Sequence, residues 1–211
     1  MVRPKTYDDD LRAGLVAATA ERMAAAGAAG ISLRDIARAR GTSTNAIYAI
    51  FGGKAELVAA VIADADASFT RAQQEAAGQG RTVLDLRRLG VAYREWALAN
   101  PTFYTAMFGH EGLVHGHDLL PPRSLEPPSS MGPVLGVVAN LIASGHVVDA
   151  GGPLPVATSI WAATHGVVSL EIAVWVGTPM ADAIFEVHMG SIERGWFTPL
   201  GLAAADEGRR R

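Results

Sequence analysis

The chain has 211 residues, 49% of them apolar and 18% charged, which supplies a sizeable core and argues against a disordered protein. It contains no cysteine, so disulfide scaffolds, thiolate zinc sites and cysteine nucleophiles are excluded. The net charge of −3 is uneven: residues 1–60 carry eight Lys/Arg against six Asp/Glu and the remainder is acidic, a mildly basic head of the kind that meets nucleic acid.

Alanine is abundant and runs of β-branched or aromatic residues are scarce, which favours helices. The opening MVRPKTYDDDLR lacks the apolar run of a signal peptide, so a cytoplasmic protein is expected. A first helix is predicted over 8–26, with Asp8, Asp9 and Asp10 complementing the free N–H groups of its first turn. Leu15, Val16, Thr19 and Met23 give it a buried stripe, and Gly27 and Gly30 end it. Ser32 caps a second helix, SLRDIARARG, with Asp35 three residues on as in a capping box. Gly41 ends that helix, Ser43 or Thr42 caps the next, and TNAIYAIF runs to Phe51. Two short helices joined by a brief glycine-containing turn make a helix-turn-helix. That assignment requires Ile36, Ala37, Ile47 and Phe51 to meet Leu15 and Met23.

After Gly52-Gly53 a fourth helix starts near Lys54 and runs to Ala77, with Leu57, Val58, Val61, Ile62 and Phe69 on its apolar side. A fifth, about 82–100, stops before Pro101 because a residue preceding proline avoids helical geometry. A short sixth, TFYTAMF, follows, and 109–130, rich in proline and glycine, reads as a long loop. Helices resume at about 131–147, 154–177 and 180–197, with a frayed tail over 205–211. The apolar stretch 160–177 holds His165 and Glu171 and reads as a buried helix rather than a membrane span. The fold class is all-α: a three-helix head (1–53) and a helical body (54–204), with helix 54–77 as connector.

The run ISLRDIARARGTSTNAIYAIFGGKAELVAAVI resembles the DNA-binding head of the tetracycline-repressor (TetR) family of bacterial transcription regulators. The matching elements are S-x-R-D-I-A, G-x-S, I-Y and F-x-G-K-x-x-L, over residues 11–62. Ile50 departs from the pattern, since the family commonly has His or Tyr there. YREWALANPTFYTAMF (93–108) and WAATHGVVSLE (161–171) resemble the tryptophan–histidine–glycine subgroup of C-terminal domains in this family. The resemblance implies a dimer whose helical domain binds a small effector.

Physical chemistry assigns contacts within that frame. A helix of about two turns fits the major groove. Its N-terminal end presents Ser43, Thr44 and Asn45, and asparagine can pair bidentately with adenine. Tyr48 lies one turn past Thr44 on the same face, within reach of a phosphate. Lys54 adds its charge to the N–H groups opening the fourth helix, and both favour phosphate. Arg34 adds a possible further phosphate contact.

In the body, Trp161 and His165 share one helix face. With Tyr93, Trp96, Tyr104 and Phe108 they are the candidate effector-binding residues of a mostly apolar pocket. Gly166 is expected to let a neighbouring helix approach closely. Small residues in the last two helices, among them Ala162, Ala163 and Ala173, suit a two-fold interface between copies and hence a palindromic operator.

Two other classes compete. His110, His115, His117 and Asp118 in GHEGLVHGHD are candidate ligands for a metal-responsive regulator, though their spacing is not that of H-E-x-x-H on a helix. An enzyme on a helical scaffold is the weaker alternative: Ser169 and His165 share a helix face without an identifiable orienting partner, and no phosphate loop or nucleophile elbow appears. No cofactor is expected. The reading that results is a ligand-responsive homodimeric repressor. It binds a palindromic double-stranded operator and is released by a small hydrophobic effector that shifts the fourth helix.

Overall fold

The computed structural model describes residues 9–27, 30–108 and 129–210, which are helical and contain no strand beyond an isolated antiparallel bridge between Val147 and Phe197. In chain order the helices are α1 (Asp9–Ala26), α2 (Leu33–Ala39), α3 (Thr44–Phe51), α4 (Lys54–Ala77), α5 (Val83–Ala99) and α6 (Pro101–Phe108). A 3-10 turn, Ser129–Met131, leads into α7 (Gly132–Ala143), followed by α8 (Pro153–Leu170), α9 (Pro179–Trp196) and α10 (Pro199–Arg210). The fold is all-α, as the sequence implies. The 109–118 histidine cluster lies outside the described residues, and among those described no group of three His, Asp or Glu side chains could hold a metal.

The chain forms two compact units: Met1–Asp66 with Asn100–Glu126, and Ala67–Ala99 with Pro127–Arg211. In the first, Leu15, Met23, Ile36, Ala37 and Ile47 share one core with Leu57, Val58 and Val61 of α4, and Phe51 packs against it. These are the contacts the helix-turn-helix assignment demands. The head takes more of the chain than residues 1–53, because the start of α4 and α6 also supply its core: Ala106 is buried there, Phe103 packs on it, and α6 lies on α1.

In the second unit, Leu86, Leu89, Tyr93, Val138, Leu141, Val156, Phe185 and Met189 are buried. Two expectations change here. The frayed tail over 205–211 is instead helix α10, described to Arg210. Thr198 Oγ1 accepts from Gly201 N at 3.2 Å, and Arg209 bonds Glu193 at 2.9 Å and Asp206 at 2.8 Å. The helix expected over 154–177 runs over Pro153–Trp175, with α8 ending at Leu170 and its continuation, Glu171–Trp175, π-type. It is not, however, a buried helix. Pro153–Trp175 is long and apolar enough to cross a membrane by length and composition, yet only 33% of its apolar window is buried within the chain.

Candidate functional site

Ser32 caps α2, its Oγ accepting from Asp35 N at 3.3 Å. Only this half of the expected capping box is shown: Asp35 Oδ1 instead accepts from Arg38 Nη2 at 2.8 Å. Aspartate is one methylene shorter than the glutamate of a capping box and turns along its own helix face. Gly41 then takes φ 62°, a left-handed conformation that favours glycine, and the chain turns into α3. Ser43 is the cap of α3, its Oγ accepting from Ala46 N at 3.2 Å. That bond occupies an oxygen lone pair and leaves the hydroxyl proton available to an acceptor.

Capping at Ser43 sets which face of α3 turns outward. Ala46 and Ile47 are buried, while Asn45 is exposed, Thr44 is half-buried and Tyr48 is 56% exposed. An aromatic ring this open, next to exposed polar side chains, is available to a partner. Ile50, the departure from the family pattern, is half-buried against the head core. It therefore contributes packing where a polar residue would offer a contact.

The turn after α3 places the remaining candidates. Gly52 adopts φ 98° and its N–H bonds Tyr48 O at 2.9 Å. The axes of α3 and α4 differ by 62°, and α4 opens with Leu57 N bonding Gly53 O at 3.1 Å. A Cβ on Gly53 would lie 3.9 Å from Tyr48 Cε1, so the tyrosine ring stands beside the start of α4, next to the half-buried Lys54. The same Cβ would lie 2.9 Å from Glu56 Oε2. The Glu56 carboxylate thus folds back over this helix start, a feature absent from the sequence expectations although its first-turn position is legible.

Arg34 is exposed on α2. Arg12 ties the head together from α1: its Nη1 bonds Asp64 of α4 at 3.0 Å and its guanidinium lies 5.7 Å from the Phe51 ring centroid. This Asp64 contact raises the Arg12 pKa from its ordinary value, by hydrogen bonding first and charge second.

In the second unit the structure brings Tyr93, Trp161 and His165 together. Tyr93 Oη and His165 Nδ1 are 2.8 Å apart, and the Trp161 and His165 rings stack with centroids 5.3 Å apart and planes at 10°. Burial lowers the His165 pKa, favouring the neutral ring. Ser169 Oγ stands 3.4 Å from His165 Nε2, at the long limit of a hydrogen bond. Beside this group lies a cavity of about 20 Å³, lined by Tyr93, Trp161, Gln73, Thr164, Gly90 and Met189 among others, with no charged residue in its wall.

The other candidates go elsewhere. Trp96 is core: its ring packs 4.8 Å from Phe69 and its Nε1 donates to Ser68 Oγ at 3.1 Å. Tyr104 and Phe108 belong to the first unit and face each other at 5.1 Å, because the Pro101 break sends α6 onto α1. Around Gly166 a Cβ would meet nothing within 4 Å, so among the described residues no helix approaches there.

A buried ionic group is a further feature. Arg94 on α5 bonds both oxygens of Glu171 at 2.7 Å and Asp182 Oδ1 at 2.6 Å, and lies 4.9 Å from the Phe185 ring centroid. These partners raise the Arg94 pKa, Glu171 hydrogen bonding foremost. Glu171 opens the π-type turn, so the irregular backbone sits where this ion pair forms. Arg87 similarly bonds Glu186 and Glu193, the latter at 3.1 Å.

Comparison with known proteins matches two family descriptions: "Bacterial regulatory proteins, tetR family" over residues 15–61 and "Tetracyclin repressor-like, C-terminal domain" over 86–192. No curated protein matches the chain. Among solved structures, a TetR family transcription regulator from Marinobacter aquaeolei VT8 is 19% identical, with TM-score 0.68, covering 90% of this chain and 97% of that one. SmeT, the repressor of the Stenotrophomonas maltophilia multidrug efflux pump SmeDEF, is 14% identical with TM-score 0.63, covering 89% and 91%. A third, from work on control of antibiotic production by bacterial hormones, is 19% identical with TM-score 0.71, covering 91% and 100%. At these identities the structural likeness concerns the fold.

Proposed function

Since the chain belongs to the tetR family of bacterial regulatory proteins, and is thus a DNA-binding transcription regulator rather than an enzyme, we propose that it acts as a cytoplasmic homodimeric repressor released by a small, uncharged, largely apolar effector. The observation that carries the DNA-binding part is the outward face of α3, where Asn45 and Tyr48 stand exposed behind the Ser43 cap. In this reading Thr44 and Asn45 contact base edges in the major groove. Ser43, Tyr48, Lys54 and Arg34 hold phosphates and so fix the register of the helix.

The dimer reading is supported by apolar exposure on the last part of the chain. Leu170, Val174, Val176, Met180 and Val187 are 52–67% exposed. A cluster of such residues on α8, the π-type turn and α9 suits a self-complementary surface. Two copies related by a two-fold axis would read a palindrome with half-sites set by the distance between heads.

The effector reading rests on the cavity wall, which offers aliphatic and aromatic surface with Gln73, Thr164 and Tyr93 as polar handles. An effector that binds the operator-free arrangement better than the operator-bound one shifts the equilibrium by that difference alone. In this mechanism the shift reaches the heads through α4.

Selection of duplexes from fragmented genomic DNA, followed by titration of the selected sequence, tests the reading. A palindromic site bound by two copies and weakened by Asn45→Ala is the expected result. Recovery of no preferred sequence would overturn operator recognition.

A further inference from the structure

Gly14 lies in the middle of α1, where glycine is a poor helix former, and yet it is buried. What covers it is the end of the Arg40 side chain. A Cβ on Gly14 would lie 2.6 Å from Arg40 Cζ and 2.7 Å from Nε, with Nη2 closer still. Any side chain at position 14 would therefore evict the guanidinium. The glycine is the seat in which it rests.

Arg40 is the last residue of the α2 side of the motif, and Gly41 and Thr42 carry the chain from it to the Ser43 cap. Its backbone thus lies just before the start of α3, while its guanidinium rests over Gly14 of α1. Two other arginines of this unit are engaged, Arg38 with Asp35 at 2.8 Å and Arg12 with Asp64 at 3.0 Å. Arg40 is exposed and, among the described residues, bonds no carboxylate. A solvent-exposed arginine whose guanidinium is seated on a helix backbone is arranged to meet an anion.

We propose that Arg40 is a phosphate-binding residue of the DNA interface and that Gly14 is its positioning residue. This rests on the DNA-binding reading above. It adds a contact from the turn of the motif, and it gives a reason for glycine inside α1. A guanidinium released from its seat would sample many rotamers and lose order that the complex requires.

The test measures affinity across a salt series for the duplex the protein itself selects, together with thermal unfolding of each variant. Arg40→Gln, which keeps the stem, should weaken binding about tenfold at moderate salt. It should also reduce the slope of log affinity against log salt by about one. Gly14→Ala should weaken binding to a similar degree while its Tm is equal to or above wild type, because alanine is the better helix former. The double variant should be no weaker than Arg40→Gln alone, since both changes remove one contact. A wild-type salt slope in Arg40→Gln, or wild-type affinity in folded Gly14→Ala, would overturn the proposal. If the wild-type protein selects no duplex, the DNA-binding reading itself fails, a result distinct from the other two. Should Arg40→Gln not fold, Arg40→Lys, with a shorter reach and one donor cluster, is expected to bind less tightly with its charge retained; undiminished affinity there counts against a seated guanidinium.

Discussion

The carboxylate of Glu56 folds back over Gly53, at the place where α4 presents its first N–H groups and Lys54 its charge. A helix start favours anions, and here an internal anion already occupies part of that field. A DNA phosphate held there, as proposed, would have to compete with it. Glu56→Gln is therefore expected to strengthen duplex binding by about two- to fivefold. Anisotropy titration at low and high salt checks this, and a weaker variant would contradict the arrangement.

Lys54→Ala should have the opposite effect, weakening binding by about tenfold and lowering the salt slope by about one. Tyr48→Phe should weaken binding about fivefold, through loss of a hydroxyl contact. With Tyr48 56% exposed, thermal stability should hardly move. Wild-type affinity in both variants at moderate salt would remove these residues from the interface.

Breaking the Arg94–Glu171 pair should be severe, because Glu171 is 3% exposed and would be left as a buried charge. Arg94→Met is expected to destabilise the protein by roughly 3–5 kcal/mol in urea unfolding. The double change Arg94→Met with Glu171→Gln should recover a large part of that loss, since no uncompensated carboxylate remains.

Acid should weaken the fold near the two histidines. Burial lowers the pKa of both His165 and His188 below the usual 6.5. As pH falls through 6.5 the unfolded chain takes up protons that the folded chain refuses until lower pH, so stability declines over that interval. Thermal unfolding between pH 7.5 and 5.5 should show a falling Tm. His165→Gln should flatten the slope, and an unchanged slope would mean that His165 does not contribute.

Val187 is 67% exposed on α9. If α8 and α9 form the contact between copies, Val187→Glu should yield monomers by sedimentation with unaltered helix content. DNA affinity should fall with it, because two linked heads bind more tightly than one.

Much of the head is legible in the sequence because its signals are local. Ser32 and Ser43 announce their helices by capping chemistry, and the apolar spacing of Leu15, Ile36 and Ile47 names the core that forms. The i, i+4 pair Trp161 and His165 stacks as its spacing implies. Other features depend on residues far apart in the chain. Tyr93 meets His165 across 72 positions and Arg94 meets Glu171 across 77, and no periodicity announces either pair. Helix α10 is obscured for a different reason. Its Gly201 and Gly208 look like breakers, yet Gly201 lets the helix lie on the His146 carbonyl and Gly208 accommodates Leu84. Thr198-Pro199, a residue pair suited to starting a helix, is the signal that could have found it.

The cavity beside Tyr93 has consequences for how tightly the proposed effector could bind there. A space of about 20 Å³ accommodates a single water. A drug-sized molecule needs several hundred Å³, on the order of 300 or more. An effector at this place, as proposed, requires the cavity to open, and its apparent affinity would then be the intrinsic value scaled by the fraction already open. Met189, packed where a Cβ on Gly90 would come within 2.8 Å of its sulfur, lines that cavity and is a flexible side chain whose rotation would enlarge it. For the proposed effector, sensitivity would then depend on how this methionine packs in the ligand-free protein as well as on contacts made to the molecule itself.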